Sequence, residues 1–186
     1  MPPRDAAATR SRILAAAIDE FAATGLAGGR VERIAREART NVRMIYAYFG
    51  GKEGLFDAAL RSCVEEMAER VPPDAGDLPG WAVALFDFHG VRPEPLRVAM
   101  WAQLEHAPSA EEPLPTYLAK ARLLPESLPV AAIDMLVLVY AMAQAWYLTP
   151  VGLREADGAR HDDPARLAAH REALRLAVAR IVTPDP

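Results

Sequence analysis

Apolar residues recur at helical spacing along almost the whole chain, and glycine and proline interrupt them at a few points. Near the N-terminus, Ile13, Ala17 and Phe21 follow one another every four residues, and Gly25 comes next. Such a period is typical of an amphipathic α-helix, and no segment shows the sustained alternation that predicts a strand. The pattern therefore predicts an all-α fold.

The breaks in this pattern predict about nine helices. Thr9 is the expected N-cap of the first helix, and Gly25 its end. A short second helix is expected over residues 31–38, a third from Asn41 to about residue 49, and a longer one over residues 52–71. After the proline-rich joint VPPDAGDLPG, further helices are expected over residues 81–89, 93–106, 115–124, 130–148 and 164–182. The segment TPVGLREADGARHDD is predicted to be a polar loop.

Charge and composition limit the compartment and the partners. The single cysteine, Cys63, excludes an intrachain disulfide framework. The N-terminal sequence MPPRDAAATRSR lacks an apolar stretch before its charges, so a cytoplasmic protein without a signal peptide is expected. Residues 130–148 are nearly long enough for a membrane span, but Asp134 and Gln144 favour a helix buried against neighbours. Residues 1–52 carry a net charge of +4 and the rest −8, which favours a polyanion partner for the N-terminal part alone.

The two short helices, joined by the turn RTN and braced by the first helix, predict a helix-turn-helix. On the second short helix, Ile45 and Phe49 should face the core, and Arg43 should point outward and read guanine O6 and N7. Lys52 opens the next helix, where backbone N–H groups already favour an anion. The alternative for Lys52 is an ordinary solvated charge.

These residues carry a family resemblance. The motifs ILAAAIDEFAATG, IAREA and IYAYFGGKEGLF, in this order, resemble the TetR/AcrR family of bacterial transcriptional regulators. The resemblance implies a homodimer, with an N-terminal helix-turn-helix domain of three helices (residues 1–52) that binds a palindromic operator. It also implies a C-terminal helical bundle (residues 53–186) that dimerises through its last two helices and binds a small effector. By motif, the implied DNA-facing residues are Thr40, Asn41, Val42, Arg43, Met44, Tyr46, Tyr48 and Lys52.

Three positions depart from the family's usual pattern. Arg39 stands where glycine is usual in the turn, which predicts either strain or a different backbone. Arg30 stands where a threonine usually caps the second helix, so that cap is lost. Gly51 precedes the lysine where serine is common. These changes bear on how the motif docks onto DNA.

The C-terminal part is rich in aromatic residues, most of which should fill a core. Those predicted to line an effector pocket are Trp101, Tyr140 and Trp146, with His89 or Gln144 as polar groups, and the expected effector is mostly apolar. The predicted subunit interface consists of Leu136, Leu138, Ala141 and Ala145 on one helix with Leu174, Ala177 and Val178 on the other.

Two other classes of function compete with a DNA-binding regulator. For an enzyme, His161, Asp162 and Asp163 stand together, but they lie in a polar loop without matching ligands elsewhere, so neither a metal site nor a cofactor is expected. His89 and His106 fall on different predicted helices and assemble no catalytic triad. A helical ligand-binding or interaction protein without DNA binding is the remaining alternative, and it leaves the cationic N-terminal part unexplained.

Overall fold

A computed structural model describes residues 3–105 and 114–183, and its regular structure there consists of ten α-helices. The helices are α1 (Pro3–Gly28), α2 (Val31–Glu37), α3 (Val42–Phe49), α4 (Lys52–Arg70), α5 (Leu78–Val91), α6 (Glu94–Glu105), α7 (Leu114–Arg122), α8 (Ala132–Leu148), α9 (Val151–Arg154) and α10 (Pro164–Val182). The all-α prediction is confirmed. The short α9 lies in the segment predicted to be a loop, and His106 lies outside the described residues.

The chain divides into two compact units, and the division passes through α4. The first unit comprises Met1–Met67 and Pro93–Leu114, and the second comprises Ala68–Arg92 and Pro115–Pro186. The first unit therefore includes α6, which lies far along the chain from the helix-turn-helix. The domain boundary after Lys52 stays a prediction.

The core of the first unit lies where α1, α2, α3, α4 and α6 meet. The rings of Phe21 and Phe56 pack edge to face with their centroids 5.0 Å apart, and both side chains are fully buried. Ile45 from α3 and Val98 from α6 join the same cluster and are likewise inaccessible to solvent. Each such side chain stabilises the fold by about 1.5–3 kcal/mol on burial, so α3 is anchored through the Ile45 side chain.

Gly25 breaks α1 near its end. Its backbone has φ 69° and ψ −176°, a conformation that only glycine adopts without strain. A Cβ at this position would lie 2.8 Å from the Trp101 ring and 2.6 Å from Glu105 Oε1, so α6 leaves no room for a side chain. The sequence correctly predicted that the first helix is interrupted here.

The predicted N-cap at Thr9 is wrong. The helix already begins at Pro3, because Ala6–Ala8 are strong helix formers that continue it towards the N-terminus. Thr9 is buried inside the helix, and its hydroxyl accepts a hydrogen bond from Arg12 Nη2 at 3.1 Å.

In the second unit, α5 packs against α8 and α10. Its core contains Leu85 and Phe86 of α5, Met135 and Val139 of α8, and Val178 of α10. Two polar contacts fix aromatic side chains at its edges: Trp81 Nε1 donates to the carbonyl of Val71 at 3.1 Å, and the Tyr147 hydroxyl donates to the carbonyl of Phe86 at 2.8 Å. The helix α5 is thus held from both sides.

The apolar helix α8 is only partly covered within the chain. Met135, Val139 and Ala143 are fully buried, whereas Ile133 and Val137 on another face are 47% and 61% exposed. Among the helices that the structure describes, none is long and apolar enough to cross a membrane.

The predicted subunit interface needs a correction for three of its residues. Leu136, Leu174 and Val178 are buried in the core of the second unit, which leaves little or no surface of theirs for a partner. The other four predicted residues, Leu138, Ala141, Ala145 and Ala177, are exposed.

Candidate nucleic-acid interface

Asn41 begins α3, as predicted. Its backbone is extended, and its side-chain oxygen accepts a hydrogen bond from the Met44 amide at 3.2 Å. This contact satisfies one of the free N–H groups in the first helical turn. Gly50 ends the helix in the left-handed conformation with φ 78°. Both ends of this eight-residue helix are therefore fixed by local sequence.

The outer face of α3 presents the side chains that the sequence assigned to DNA. Arg43 and Tyr46 are exposed, and 55% of the Tyr46 surface is open to solvent; Ala47, which was not among the predicted residues, is exposed beside them. Ile45, on the opposite face, is fully buried, so α3 cannot rotate without losing that packing. Because the Ala47 side chain is a single methyl group, it protrudes little from the middle of this face.

The remaining predicted DNA-facing residues are partly covered. Val42, Met44 and Tyr48 pack against the core of the first unit, and the Tyr48 ring meets the Phe49 ring edge to face at 6.4 Å. Thr40 is half-buried, and its amide donates to the carbonyl of Ala35 at 2.9 Å. Each of these four residues therefore exposes only part of its surface to solvent.

Lys52 is half-buried at the start of α4, and its Nζ donates to the carbonyl of Ala27 at 3.1 Å. The same short turn is held by α6: Glu105 Oε2 accepts from the amides of Leu26 at 2.5 Å and Ala27 at 3.1 Å. Glu105 thus satisfies the N–H groups that the break at Gly25 leaves free. Sequence analysis missed this residue, because its partners lie 79 and 78 positions away.

The turn between α2 and α3 contains backbone strain at Arg39. Its φ is 51°, and Arg39 is the sole non-glycine residue with positive φ in the described part of the chain. A left-handed conformation at a residue with a Cβ costs roughly 1–2 kcal/mol. Of the two possibilities that the sequence left open, the strained turn is therefore the one observed.

The missing cap of α2 is replaced from α1. The Arg30 side chain makes no cap hydrogen bond, but its amide donates to Glu20 Oε1 at 2.9 Å. The same oxygen accepts from Arg33 Nη2 at 2.5 Å. Burial acts to raise the pKa of Glu20, but the hydrogen bonds from Arg33 and Arg30 outweigh it and lower that pKa below its usual value. Glu20 therefore joins α2 to α1.

The five residues predicted to line an effector pocket are not gathered in one unit. Trp101 belongs to the first unit, where it packs against Gly25. In the second unit, Gln144 is half-buried, and Trp146 packs its ring on His170 with centroids 4.5 Å apart.

His89 is almost completely buried, with 2% of its surface exposed. Within the described residues, neither of its ring nitrogens has a hydrogen-bond partner. Burial lowers the pKa of His89 to about 4, so the ring is neutral at pH 7. A neutral imidazole offers one donor and one acceptor, and both are unused here.

Tyr140 is bound to a residue that sequence analysis missed. Lys120 of α7 is 3% exposed, and its Nζ donates to the Tyr140 hydroxyl at 2.7 Å. Burial lowers the pKa of Lys120 to about 8, and burial together with the nearby Tyr117 raises the pKa of Tyr140. A lysine in a helical sequence gives no sign of such burial.

The cluster considered as a metal site is divided among separate contacts. His161 Nδ1 lies 2.7 Å from Glu155 Oε1, Asp162 pairs with Arg160, and Asp163 caps α10 by accepting from the Ala165 and Arg166 amides. Over residues 3–105 and 114–183, no group of three or more His, Cys, Asp or Glu side chains could hold a metal ion.

Comparison with known proteins decides the family. The profile for "Bacterial regulatory proteins, tetR family" matches residues 13–59, and that for "Tetracyclin repressor-like, C-terminal domain" matches residues 77–180. The chain belongs to the TetR family. The regions matched include both the helix-turn-helix and most of the second unit.

One relative of this TetR family chain matches it over nearly the full length, and another matches its N-terminal part. It is 36% identical to the HTH-type transcriptional repressor SCO4008 of Streptomyces coelicolor, over 98% of this chain and 99% of the relative. The N-terminal part is 52% identical over 52 residues to the repressor NicS of Pseudomonas putida, a match that covers 28% of this chain and 24% of NicS.

Solved structures give the same fold. The regulator SCO4942 of Streptomyces coelicolor superposes with a TM-score of 0.78 at 36% identity, covering 96% of this chain and 99% of that one. NalD of Pseudomonas aeruginosa superposes with a TM-score of 0.61 at 18% identity, covering 97% of this chain and 98% of NalD. TetR family members are DNA-binding regulators, so the prediction of a non-enzymatic regulator is confirmed.

The strained turn gives a test of the TetR family helix-turn-helix that does not need DNA. Arg39→Gly should raise the free energy of unfolding by about 0.5–1 kcal/mol, because glycine adopts positive φ without the Cβ clash. Urea unfolding of the free protein measures this change. Arg36→Gly, in the helical part of α2, is the matched control and should lower stability by about 1 kcal/mol. Equal effects of the two substitutions would show that the turn is not strained.

Proposed function

We propose that this chain is a transcriptional repressor that binds a palindromic operator as a homodimer and is released by a small, mostly apolar effector. The observation that carries the proposal is α3 itself, which is capped by Asn41, anchored by Ile45 and open to solvent along Arg43, Tyr46 and Ala47. Repression is supported by the full-length similarity to a named repressor. A protein of this kind acts where the operator DNA lies, in the bacterial cytoplasm.

Base reading is assigned to Arg43, and backbone binding to its neighbours. The exposed guanidinium of Arg43 can donate two parallel hydrogen bonds to guanine O6 and N7 in the major groove. Tyr46 projects a hydroxyl beside it that can reach a phosphate. The ammonium of Lys52, at the N-terminus of α4, adds to the positive end of that helix dipole. Thr40, Asn41, Val42, Met44 and Tyr48 complete the proposed contact surface.

Operator binding predicts different effects for two cationic residues. Arg43→Ala should cost about 1–3 kcal/mol on operator DNA and relax the preference at one base position. Lys52→Ala should weaken binding to every DNA sequence by about the same factor, because a phosphate contact carries no sequence information. Fluorescence anisotropy with operator fragments, selected beforehand from a random DNA pool, measures both effects. Arg160→Ala, in the loop before α10 where Arg160 pairs with Asp162, is the control and should change neither.

The salt dependence decides between this proposal and the alternative of a helical ligand-binding or interaction protein without DNA binding. Phosphate contacts release counterions, so affinity for the operator should fall steeply as salt increases. Affinity that does not depend on salt, or selection that enriches no sequence, would favour the alternative.

The homodimer is proposed from the uncovered face of α8. The interface is proposed to consist of the exposed apolar side chains of α8 and α10: Ile133, Val137, Leu138, Ala141, Ala145, Leu148, Ala173, Leu176 and Ala177. Exposed aliphatic side chains on two helices of one unit favour association with a second copy, because burial removes apolar area from water. A dimer would place two α3 helices on successive half-sites.

Val137 tests this interface, because it is 61% exposed in the single chain. Val137→Glu should give a monomer, since a glutamate buried between two subunits would lack a partner. Sedimentation velocity measures the change, and operator affinity should fall with it. Val91→Glu is the control, because Val91 is 81% exposed at the end of α5 and away from this face. A dimeric Val137→Glu variant would exclude the face as the subunit interface.

The effector proposal is supported by the buried polar groups of the second unit. His89 offers an unused donor and an unused acceptor among the rings of Phe88 and Tyr147. Such groups cost free energy unless a partner is supplied, and an apolar molecule with one polar group would supply it. Tyr140, Gln144 and Trp146, which belong to the same unit as His89, are proposed to contact the same effector.

An effector should raise the melting temperature and release operator DNA at the same concentrations. A thermal-shift screen of lipophilic compounds, followed by anisotropy with bound operator, measures both. His89→Leu should weaken the compounds found by about tenfold, because one hydrogen bond in a buried site is lost. His161→Leu, in the loop before α10, should not affect them. A screen in which no compound raises the melting temperature would contradict the effector proposal and leave operator binding untouched.

A further inference from the structure

The second unit has a hollow of about 220 Å³ at the C-terminal end of α8. Its walls include Trp146, Thr149, Leu153, Arg154, Arg166 and His170. The volume corresponds to roughly seven water molecules at about 30 Å³ each, which is room for a small organic molecule with one ring. Three of the wall side chains carry a positive charge or can acquire one.

The charged side chains gather around a single indole ring. The guanidinium carbon of Arg166 lies 4.9 Å from the Trp146 ring centroid, and that of Arg154 lies 5.6 Å from it. The His170 ring is 4.5 Å away, centroid to centroid. Attraction between each cation and the aromatic ring holds the arginines there. It does not, however, supply an acceptor for their N–H groups.

Three buried nitrogens at this hollow have no hydrogen-bond partner. Arg154 Nε, Arg166 Nε and His170 Nε2 are all buried, and within the part of the chain that the structure describes none has a hydrogen-bond partner. A donor buried without a partner costs about 1–3 kcal/mol. The two arginine nitrogens can only donate, so the hollow lacks acceptors for both, whereas His170 Nε2 donates or accepts according to the tautomer of the ring.

The anionic group nearest to Arg166 does not remove this deficit. Asp157 Oδ2 lies 3.6 Å from Arg166 Nε, which is longer than a hydrogen bond, and the Asp157 side chain is 59% exposed. Burial and the positive charge of Arg166 both lower the pKa of His170, in agreement with a site that is short of negative charge.

We propose that this hollow binds a small organic oxyanion, with a carboxylate held by Arg154 and Arg166 and a compact apolar body packed against Trp146 and Leu153. The planar guanidinium group matches the two oxygens of a carboxylate in distance and direction. The apolar wall favours an aromatic or aliphatic acid over a purely inorganic anion. The site lies at the α8 end that leads into α9, beside α10, and it differs in chemistry from the neutral surroundings of His89.

The proposed binding is independent of DNA, whereas any effect of the anion on repression rests on the proposed function. The hollow shares Trp146 with the proposed effector contacts, so an acid bound here could act as the effector or as a second ligand. Calorimetry without DNA tests the site, and anisotropy with operator tests its regulatory consequence.

Benzoate, benzamide and inorganic phosphate are suitable probes for isothermal titration calorimetry on the full chain. Benzoate should bind, and benzamide, which has nearly the same shape but no charge, should bind at least tenfold more weakly. Phosphate should bind more weakly than benzoate, because it has no apolar body to pack on Trp146. Equal binding of benzoate and benzamide, or no binding of benzoate, would overturn the proposal. Phosphate binding as tightly as benzoate would overturn the carboxylate assignment.

Substitutions then locate the site. Arg154→Gln and Arg166→Gln should each weaken benzoate roughly 10- to 100-fold, because each removes a charge-assisted hydrogen bond. Arg175→Gln is the matched control on α10, where Arg175 pairs with Glu172 at 2.7 Å away from the hollow, and should leave binding unchanged. Asp157→Asn should tighten benzoate binding by removing a competing carboxylate.

Unchanged benzoate affinity in both glutamine variants would show that the anion binds elsewhere and would overturn the proposal. Arg154→Lys and Arg166→Lys keep the charge and serve if a glutamine variant does not fold. They should bind benzoate more weakly than the unsubstituted chain, since lysine cannot form the bidentate pair. Benzoate binding to a chain that fails to bind operator would overturn the proposed function and still support the site.

Discussion

The position of α3 depends on the burial of Ile45. This side chain is fully enclosed between α3 and the cluster formed by Phe21 and Phe56, so the helix has one fixed rotation about its axis. The rotation in turn decides which residues face solvent, and it places Arg43 and Ala47 on the outer side. An exposed arginine can pair with a base edge only if its helix is held this rigidly, because a loosely packed helix would lose its register in the groove.

Polar groups without protein partners divide the second unit into regions of different chemistry. Around His89 the side chains are aromatic and the imidazole is neutral, since burial lowers its pKa to about 4. At the end of α8, two guanidinium groups lie against Trp146 beside the His170 ring and make that hollow cationic. Lys120, in contrast, has a partner, because its Nζ donates to the Tyr140 hydroxyl at 2.7 Å. A buried region whose donors or acceptors have no protein partner favours ligands that supply the missing hydrogen bonds.

The sequence predicted well what short-range patterns determine. The helical period, the breaks at Gly25 and Gly50 and the cap at Asn41 are local features, and each of them appears where expected. The strain at Arg39 could be expected because a residue with a Cβ stands in a turn that favours positive φ. The prediction that Thr9 caps the first helix was wrong, because a threonine that precedes a run of periodic apolar residues can also lie inside a helix that begins earlier.

Contacts between distant segments could not be predicted in the same way. Glu105 holds the turn after Gly25, and Glu20 holds the start of α2, but a glutamate on a helix looks like any solvated side chain in sequence. The burial of Lys120 and the grouping of Arg154 and Arg166 around Trp146 depend on how helices pack. For the same reason, Leu136, Leu174 and Val178 were assigned to a subunit interface although they fill the core of their own unit.

Because α6 belongs to the first unit, we do not expect the N-terminal segment that contains the helix-turn-helix to fold stably on its own. A fragment that stops after α4 would lose Val98 from the core and uncover Phe21 and its neighbours. It would also lose the Glu105 carboxylate, which leaves the amides of Leu26 and Ala27 without an acceptor beside Lys52. Transplanting the DNA-reading part onto another protein therefore requires residues 93–105 as well, supplied either in the same polypeptide or as a complementing peptide.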